Sequence, residues 1–278
     1  MSHRAFKCSG LASLDDLDTP EWRVIFGKLE NIQNEFLTLN PHSKEYKWRR
    51  DPLHTCNRVW EYPFVYHQFA NRWKRQADIQ SFAVDLGSGA TFFPFAVARL
   101  GWDVLAVDHD PESGRSLDAA CSSLTTGSGS VKFELGDIRK LTLKGASTDC
   151  VYCISVLEHL PDPASVVAEV ARIIKPRGLF ILTFDVALRH TCEMGPRQHA
   201  SLRAALDQYF EASDPERFVH PLRVLTTHNS PYPYYPVVLG SARVKRDLKR
   251  CLRGLLSGTW LEDDVMAATY GAVLRRRG

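Results

Sequence analysis

The stretch VDLGSGATFF, residues 84–93, decides how the chain is read. It closes a short apolar run, FAVDL (82–86), on an acid, Asp85, and then on two glycines, Gly87 and Gly89. Glycine tolerates positive φ and lets a ligand approach the backbone closely. The run FPFAVARL (93–100) that follows is helical in pattern. Together they describe a strand, a tight turn and a helix, with a carboxylate at the turn that can accept from an ammonium or a hydroxyl group. Many nucleotide-binding folds begin this way, so the motif by itself leaves the ligand open.

Working outward, the pattern repeats. DVLAVD (103–108) is strand-like and ends on Asp108; DPESGRSLDAACSSL (110–124) opens as a helix with Asp110 as N-cap and Pro111 behind it. VKFEL (131–135) is a third strand, followed by Gly136-Asp137-Ile138. DCVYCISV (149–156) is a fourth, followed by Leu157-Glu158-His159-Leu160. The amphipathic helix DPASVVAEVARIIK (162–175) leads to a fifth strand, GLFILTFDV (178–186). Strand–helix alternation implies a mostly parallel α/β sheet with helices on both faces, a Rossmann-like arrangement. In such sheets ligands bind beyond the carboxyl ends of the strands, and an acid closing the second strand can take both hydroxyls of a ribose.

The flanks read differently. Thr19-Pro20-Glu21 is a helix start, and Trp22, Ile25, Phe26, Leu29, Ile32 and Phe36 recur at helical spacing. A second helix is expected from about Trp60 to Arg75, burying Val65, Phe69 and Trp73, with the polar-aromatic cluster Arg58 to Pro63 just before it. Residues 1–79 are therefore expected to form a helical arm, a lid over the domain 80–278, with 187–260 as an insertion on the substrate side. In that insertion a helix is expected over 197–211; SPYPYYP (230–236) must be a loop, because three prolines fit neither a helix nor a central strand. A basic amphipathic helix over 241–256 and a terminal strand over 265–276 complete the reading.

Composition narrows the classes. The 278 residues are 44% hydrophobic and 24% charged, an ordinary globular balance that excludes a disordered or collagen-like chain. Lys plus Arg number 35 against 32 acids, a net charge of +3, without the basic bias of a nucleic-acid binder. The longest apolar run, GLFILTF (178–184), is far short of a membrane span of roughly 20 residues. The first residues lack the apolar core of a signal peptide, and seven cysteines are scattered along the chain. Reduced thiols in a cytoplasmic protein are expected. Cys150-x-x-Cys153 lies inside an apolar strand, where packing explains it better than zinc.

Four elements in order at four strand ends are far more specific than one, and here a family resemblance appears. Residues 80–186 resemble a class I S-adenosylmethionine-dependent methyltransferase of the small-molecule type. Asp85-Leu86-Gly87-Ser88-Gly89 resembles the family's first motif, Asp108 its ribose-binding acid, Gly136-Asp137-Ile138 its adenine-contacting element, and VLEHLPDP (156–163) the stretch after strand four. One departure is Thr91, where the longer family motif has a third glycine. The resemblance implies S-adenosylmethionine as cofactor and a small-molecule acceptor, methylated on O or N. It implies that Asp85 receives the methionyl ammonium and that Gly87, Ser88 and Gly89 pass under the cofactor. Asp108 would bind the ribose, with His109 flanking the adenosine. Asp137 and Ile138 would hold the adenine, and Ser155 and Val156 would lie on the methionyl side.

Other roles stay open at this point. His159 is a candidate base or substrate contact, or a structural histidine. Some relatives ligate a metal near this motif through two glutamates and a histidine, but the first glutamate falls on Ser155 here, so no metal is expected. Tyr62, Tyr232 and Tyr234 are candidate substrate contacts, and Arg58 or Tyr62 is expected near the methionyl carboxylate. Two alternative functions remain: a nicotinamide oxidoreductase, which GSGATF fits poorly because Phe92 replaces the third glycine, and a non-catalytic relative of the fold.

Overall fold

The computed structural model describes residues 6–39, 51–72, 80–189, 194–233 and 266–278. The chain enters through a two-residue strand β1 (Gly10–Leu11) and a short helix α1 (Leu14–Leu17), followed by α2 (Pro20–Leu39) and α3 (Arg58–Arg72). The alternating region then runs β2 (Ser81–Leu86), α4 (Phe93–Ala98), β3 (Trp102–Asp108), α5 (Pro111–Cys121), β4 (Ser130–Leu135), β5 (Thr148–Ile154), α6 (Pro163–Ile173) and β6 (Ile174–Arg189). After it come α7 (Pro196–Tyr209), β7 (Phe210–Ala212) and β8 (Met266–Arg276).

Local chemistry accounts for the helix starts. Thr19 Oγ1 accepts from the Trp22 amide at 3.1 Å and caps α2, and Asp110 accepts from the Glu112 amide at 3.0 Å ahead of Pro111 in α5. Among the described residues the strands form one sheet, in the order β1-β8-β6-β5-β2-β3-β4, with β7 on β8. Strands β6, β5, β2, β3 and β4 are parallel; β8 runs antiparallel to β6. The chain leaves β2 in one direction to build β3 and β4, and later in the other to build β5 and β6. The carboxyl ends of β2 and β5 thus flank a topological switch point.

Alternation along the strands divides the core in two. Ala83, Val104, Ala106, Cys150 and Tyr152 pack with α2, α3, α4 and α5 on one face. Val84, Leu86, Val107, Val151 and Cys153 pack with α6 and α7 on the other. The periodic apolar residues of α2, from Ile25 to Phe36, are buried in the first cluster. So is nearly the whole first part of α3, from Val59 to Phe69. Its Trp60 and Phe64 stack at 4.6 Å and lie directly on β8, where a Cβ at Gly271 would stand 2.7 Å from Trp60 and 2.9 Å from Phe64.

Three features differ from the sequence reading. The arm is not purely helical: β1 pairs with β8 at Gly10↔Gly271 and stitches the chain start to the sheet. The helix expected to 211 ends at Tyr209, and Phe210–Ala212 joins β8 instead. Strand β6 is longer than expected, Ile174–Arg189: β5 pairs with its start at Thr148↔Ile174, and β8 pairs with it from Leu179 to Arg189. Trp73, Tyr234 and the basic helix expected over 241–256 lie outside the described residues.

Candidate active site at the carboxyl ends of the strands

The loop after β2 is built by its glycines. Gly87 takes φ +71° and Gly89 φ +55°, values that L residues rarely adopt. Space requires the first glycine as well: a Cβ on Gly87 would stand 2.5 Å from Val156 Cγ2. The Gly87 and Ser88 amides donate to Val107 O at 2.8 and 3.2 Å, which ties the loop to the end of β3. Thr91, at the family's third glycine position, donates from Oγ1 to Ser88 O at 3.2 Å and accepts from the Phe93 amide at 3.4 Å. Its hydroxyl therefore closes the turn into α4.

Asp108 is the clasp of this loop. It is buried, and its Oδ2 accepts from the Gly89 amide at 2.8 Å while Oδ1 accepts from the Asp110 amide at 2.9 Å. His109 is almost wholly exposed, with Nδ1 3.4 Å from Asp108 Oδ1. Asp85 is buried at the end of β2. Burial pushes its carboxyl well above the usual range; the Asp108 charge adds to this, while Tyr152 and Arg58 oppose it. After β4, Ile138 is buried, whereas Asp137 is half-exposed and held bidentately by Arg139 at 2.7 and 2.9 Å. Those hydrogen bonds lower its carboxyl to about 2.

The turn after β5 separates Glu158 from His159. The three residues Leu157–His159 form a single 3-10 turn in which Glu158 points inward and is buried, while His159 is exposed. Glu158 Oε1 accepts from the Asp185 amide at 3.1 Å, and Oε2 has no partner among the described residues. Burial, with the charges of Asp185 and Glu61, raises the Glu158 carboxyl well above its ordinary value. Ser155 adopts φ +48° and donates to Glu61 Oε1 at 2.8 Å.

Helix α3 brings its first turn to these strand ends. Asn57, just before it, donates to Asp185 Oδ2 at 2.7 Å and to Ser155 Oγ at 3.4 Å. Arg58 pairs with the buried Glu61 and lies 5.7 Å from the Tyr62 ring. Tyr62 stacks on Phe93 at 4.7 Å, and burial pushes its phenol up to about 12. From β8, Thr269 Oγ1 donates to Asp185 Oδ1 at 2.8 Å. Tyr232 is placed differently: its ring meets His54 edge-on at 4.9 Å, beside Glu30 and Asp51. Tyr234 lies outside the described residues. Among the described residues no three His, Cys, Asp or Glu side chains are arranged to hold a metal ion.

The sequence reading missed Asn57, Glu61 and Asp185 as site residues. A signal for Asp185 was present: it is the one acid in the apolar run GLFILTFDV, near the run's carboxyl end. Glu61 stands in an otherwise apolar and aromatic stretch, WEYPFVY, where a charge needs a partner. Only the crossing of α3 over β5 and β6 shows what those partners are.

The site has the chemistry of a cradle for a zwitterionic nucleoside. Its glycine loop offers backbone, Asp85 and Asp108 offer buried carboxylates, and the buried Ser88 Oγ has no partner among the described residues. Comparison with known proteins agrees. Residues 84–182 match the methyltransferase domain family. Over 111 residues the chain is 35% identical to the ubiquinone biosynthesis O-methyltransferase of Methylococcus capsulatus, covering 38% of this chain and 45% of that protein. The same-named protein of Xanthomonas axonopodis pv. citri is 35% identical over 104 residues, 37% of this chain and 42% of its own. The chain thus spans less than half the length of these curated relatives.

Among solved structures, the cyclase SpnF aligns over 97% of this chain and 99% of its own, at TM-score 0.52 and 16% identity. Phosphoethanolamine N-methyltransferase 2 of Haemonchus contortus, in complex with S-adenosyl-L-methionine, aligns over 100% of this chain and 61% of its own, at TM-score 0.51 and 14% identity. At these identities the likeness is one of fold. The matched segment 84–182, with its acid-ended strands and glycine loop, is thus similar to the methyltransferase domain family.

Proposed function

We propose that the protein transfers a methyl group from S-adenosylmethionine to an oxygen or nitrogen of a small-molecule acceptor. The observation that carries this reading is the clasped loop: Asp108 holds the Gly89 amide at 2.8 Å, and Asp85 stands buried beside it at the switch point. Relatives named as O-methyltransferases of ubiquinone biosynthesis support a small acceptor. The net charge of +3 favours it over nucleic acid. Free thiols at Cys8, Cys56, Cys121, Cys150 and Cys153 fit a cytoplasmic setting. Among the described residues no helix is long and apolar enough to cross a membrane.

In this reading the cofactor supplies a methyl already activated on a positively charged sulfur. The chain then has to bind, orient and exclude water. Asp85 takes the methionyl ammonium, whose charge restores the ionised carboxylate that burial disfavours. Gly87, Ser88 and Gly89 lie under the cofactor, and Asp108 keeps its backbone contacts while turning its remaining lone pairs to the ribose. Ile138 packs the adenine; Asp137 shares its carboxylate between Arg139 and the base. Ser155, Val156, Arg58 and Tyr62 wall the methionyl side, and α3 covers the strand ends as a lid. His159, exposed on the turn after β5, and Tyr232 are the acceptor-side candidates. Alignment of this kind is worth roughly 7–11 kcal/mol of a bimolecular barrier.

Calorimetry with S-adenosylmethionine, its demethylated product and NAD tests the reading. Binding of the first two and not the third is expected; tight NAD binding with no response to the methyl donor overturns it. Incubation with labelled cofactor and fractionated cell metabolites identifies the acceptor. Binding without transfer to any fraction would favour a non-catalytic member of the fold.

A further inference from the structure

Helix α3 carries Arg58, Glu61 and Tyr62 to the strand ends, and a second set of contacts holds that helix from a distance. Trp60, one residue before Glu61, is buried and donates from Nε1 to Asp16 Oδ2 at 2.7 Å. Asp16, in the short helix α1, is itself fully buried, and a buried carboxylate needs a cation. Arg217 supplies it. Its guanidinium donates to Asp16 Oδ1 at 2.8 Å, to Asp16 Oδ2, and to Leu11 O at 2.9 Å. The Arg217 amide donates to Ser9 O at 3.0 Å, which fixes the loop against the chain start.

The loop that supplies Arg217 follows β7 and reaches α3 a second time. Asp214 pairs with Arg72 at the end of α3, and Ser213 Oγ accepts from Arg72 at 3.4 Å. Residues 213–217 therefore hold both ends of the helix: the far end directly, and the first turn through Asp16 and Trp60. A hydrogen bond to a buried charge is strong and directional. It fixes the rotation of α3 as well as its depth, and successive helical residues differ by about 100°. The direction of the Trp60 indole thus sets the directions of Glu61 and Tyr62. Resting on the reading above that α3 walls the methionyl side, we infer that the Asp16–Arg217 pair is a remote positioning device: through Trp60 it sets the grip of the site on the amino-acid end of the cofactor. Asp16 and Arg217 are positioning residues and act on the ligand only through α3.

The test is isothermal calorimetry on the full chain with two ligands. S-adenosylhomocysteine, the demethylated product, has an amino-acid end; methylthioadenosine keeps the adenosine and the thioether but has no ammonium or carboxylate. The ratio of their Kd values reads the amino-acid end alone. In the wild type the product is expected to bind at least about tenfold more tightly. Trp60→Phe keeps a ring on Phe64 and removes the donor; the ratio should fall at least about threefold, with the Kd of methylthioadenosine changed less than about twofold. Asp16→Asn, which discharges the pairing with Arg217, should lower the ratio in the same direction. Asp214→Asn loosens the far end of α3 and should lower Tm with the ratio unchanged, which separates positioning from a general loss of stability. An unchanged ratio in a Trp60→Phe or Asp16→Asn protein that melts cooperatively overturns the inference. So does an equal fall in Asp214→Asn, or a wild-type ratio near one, and each leaves the cofactor assignment standing. Should Trp60→Phe and Asp16→Asn fail to fold, hydrogen exchange of the wild type decides. The product should slow exchange over 213–217 together with 57–62 more than methylthioadenosine does, and equal exchange with the two ligands overturns the inference. Failure of both ligands to bind removes the cofactor reading itself.

Discussion

Replacing Asp108 by alanine should damage the site twice, and the two effects can be measured apart. The carboxylate is buried and accepts from two amides, Gly89 at 2.8 Å and Asp110 at 2.9 Å. Hydrogen bonds to a charged group are worth about 1.5–3 kcal/mol each. Water will re-satisfy part of that in the opened loop, so a loss of about 2–3 kcal/mol in the free protein is expected. For a chain of this size that is a fall of about 5–10 °C in Tm. In the complex, Asp108 is also assigned the ribose hydroxyls. Losing them should cost a further 1.5–3 kcal/mol or so, about a 10- to 150-fold weaker Kd for S-adenosylmethionine. Asp108→Asn separates the two, since its single carbonyl oxygen preserves one of the two amide contacts while the charge is gone. It should melt closer to wild type than the alanine variant yet bind the cofactor nearly as poorly. Thermal melts by circular dichroism and calorimetry at matched temperature give both numbers. A folded Asp108→Ala protein with unchanged cofactor affinity would refute the ribose assignment; an unchanged Tm would refute the clasp.

Gly87→Ala combines a φ of +71° with a Cβ 2.5 Å from Val156 Cγ2, so denaturant unfolding should show a loss of about 2–4 kcal/mol. Adding Val156→Ala should recover the clash but not the φ strain; full recovery would contradict the strain. The carboxyl of Glu158 is raised in the folded state, so the native protein holds this proton where the unfolded chain has released it. Its contribution to stability is therefore present below the ordinary glutamate range near 4.5 and declines as pH rises toward the raised value. Glu158→Gln should flatten that decline in chemical denaturation as pH rises above the ordinary glutamate range, and identical slopes in the two proteins would count against it. A chain starting at Gln80 would bare the sheet face covered by Trp60, Phe64 and Phe69 and lose β1. It should be insoluble or molten by near-UV dichroism, and a folded, fully active fragment would show that the arm is dispensable.

Much of this protein is legible without coordinates, for a local reason. The parallel sheet announces itself because most of its strands are short apolar runs closed by an acid or a glycine, and α5 and α6 each open on an aspartate cap ahead of a proline. Asp85, Gly87, Gly89 and Asp108 follow from that punctuation, since the backbone geometry they serve is set by their nearest neighbours in sequence. What the sequence could not disclose are contacts between distant segments. The two residues of β1 have no periodicity of their own and are strand only because β8 offers an edge. Phe210 leaves the helix pattern for the same reason. The pairing of Asn57 and Glu61 with Ser155 and Asp185 joins residues about a hundred positions apart. It exists because Gly271 lets Trp60 and Phe64 settle onto β8 and so carries the first turn of α3 over the strand ends. Glu158 and His159 show the division most plainly. Adjacent in sequence and equally polar, they read as one motif; a single 3-10 turn sends one carboxylate into the core among other acids and leaves the imidazole outside. Burial, which decides the chemistry of both, is a property of the packed fold and not of the residue.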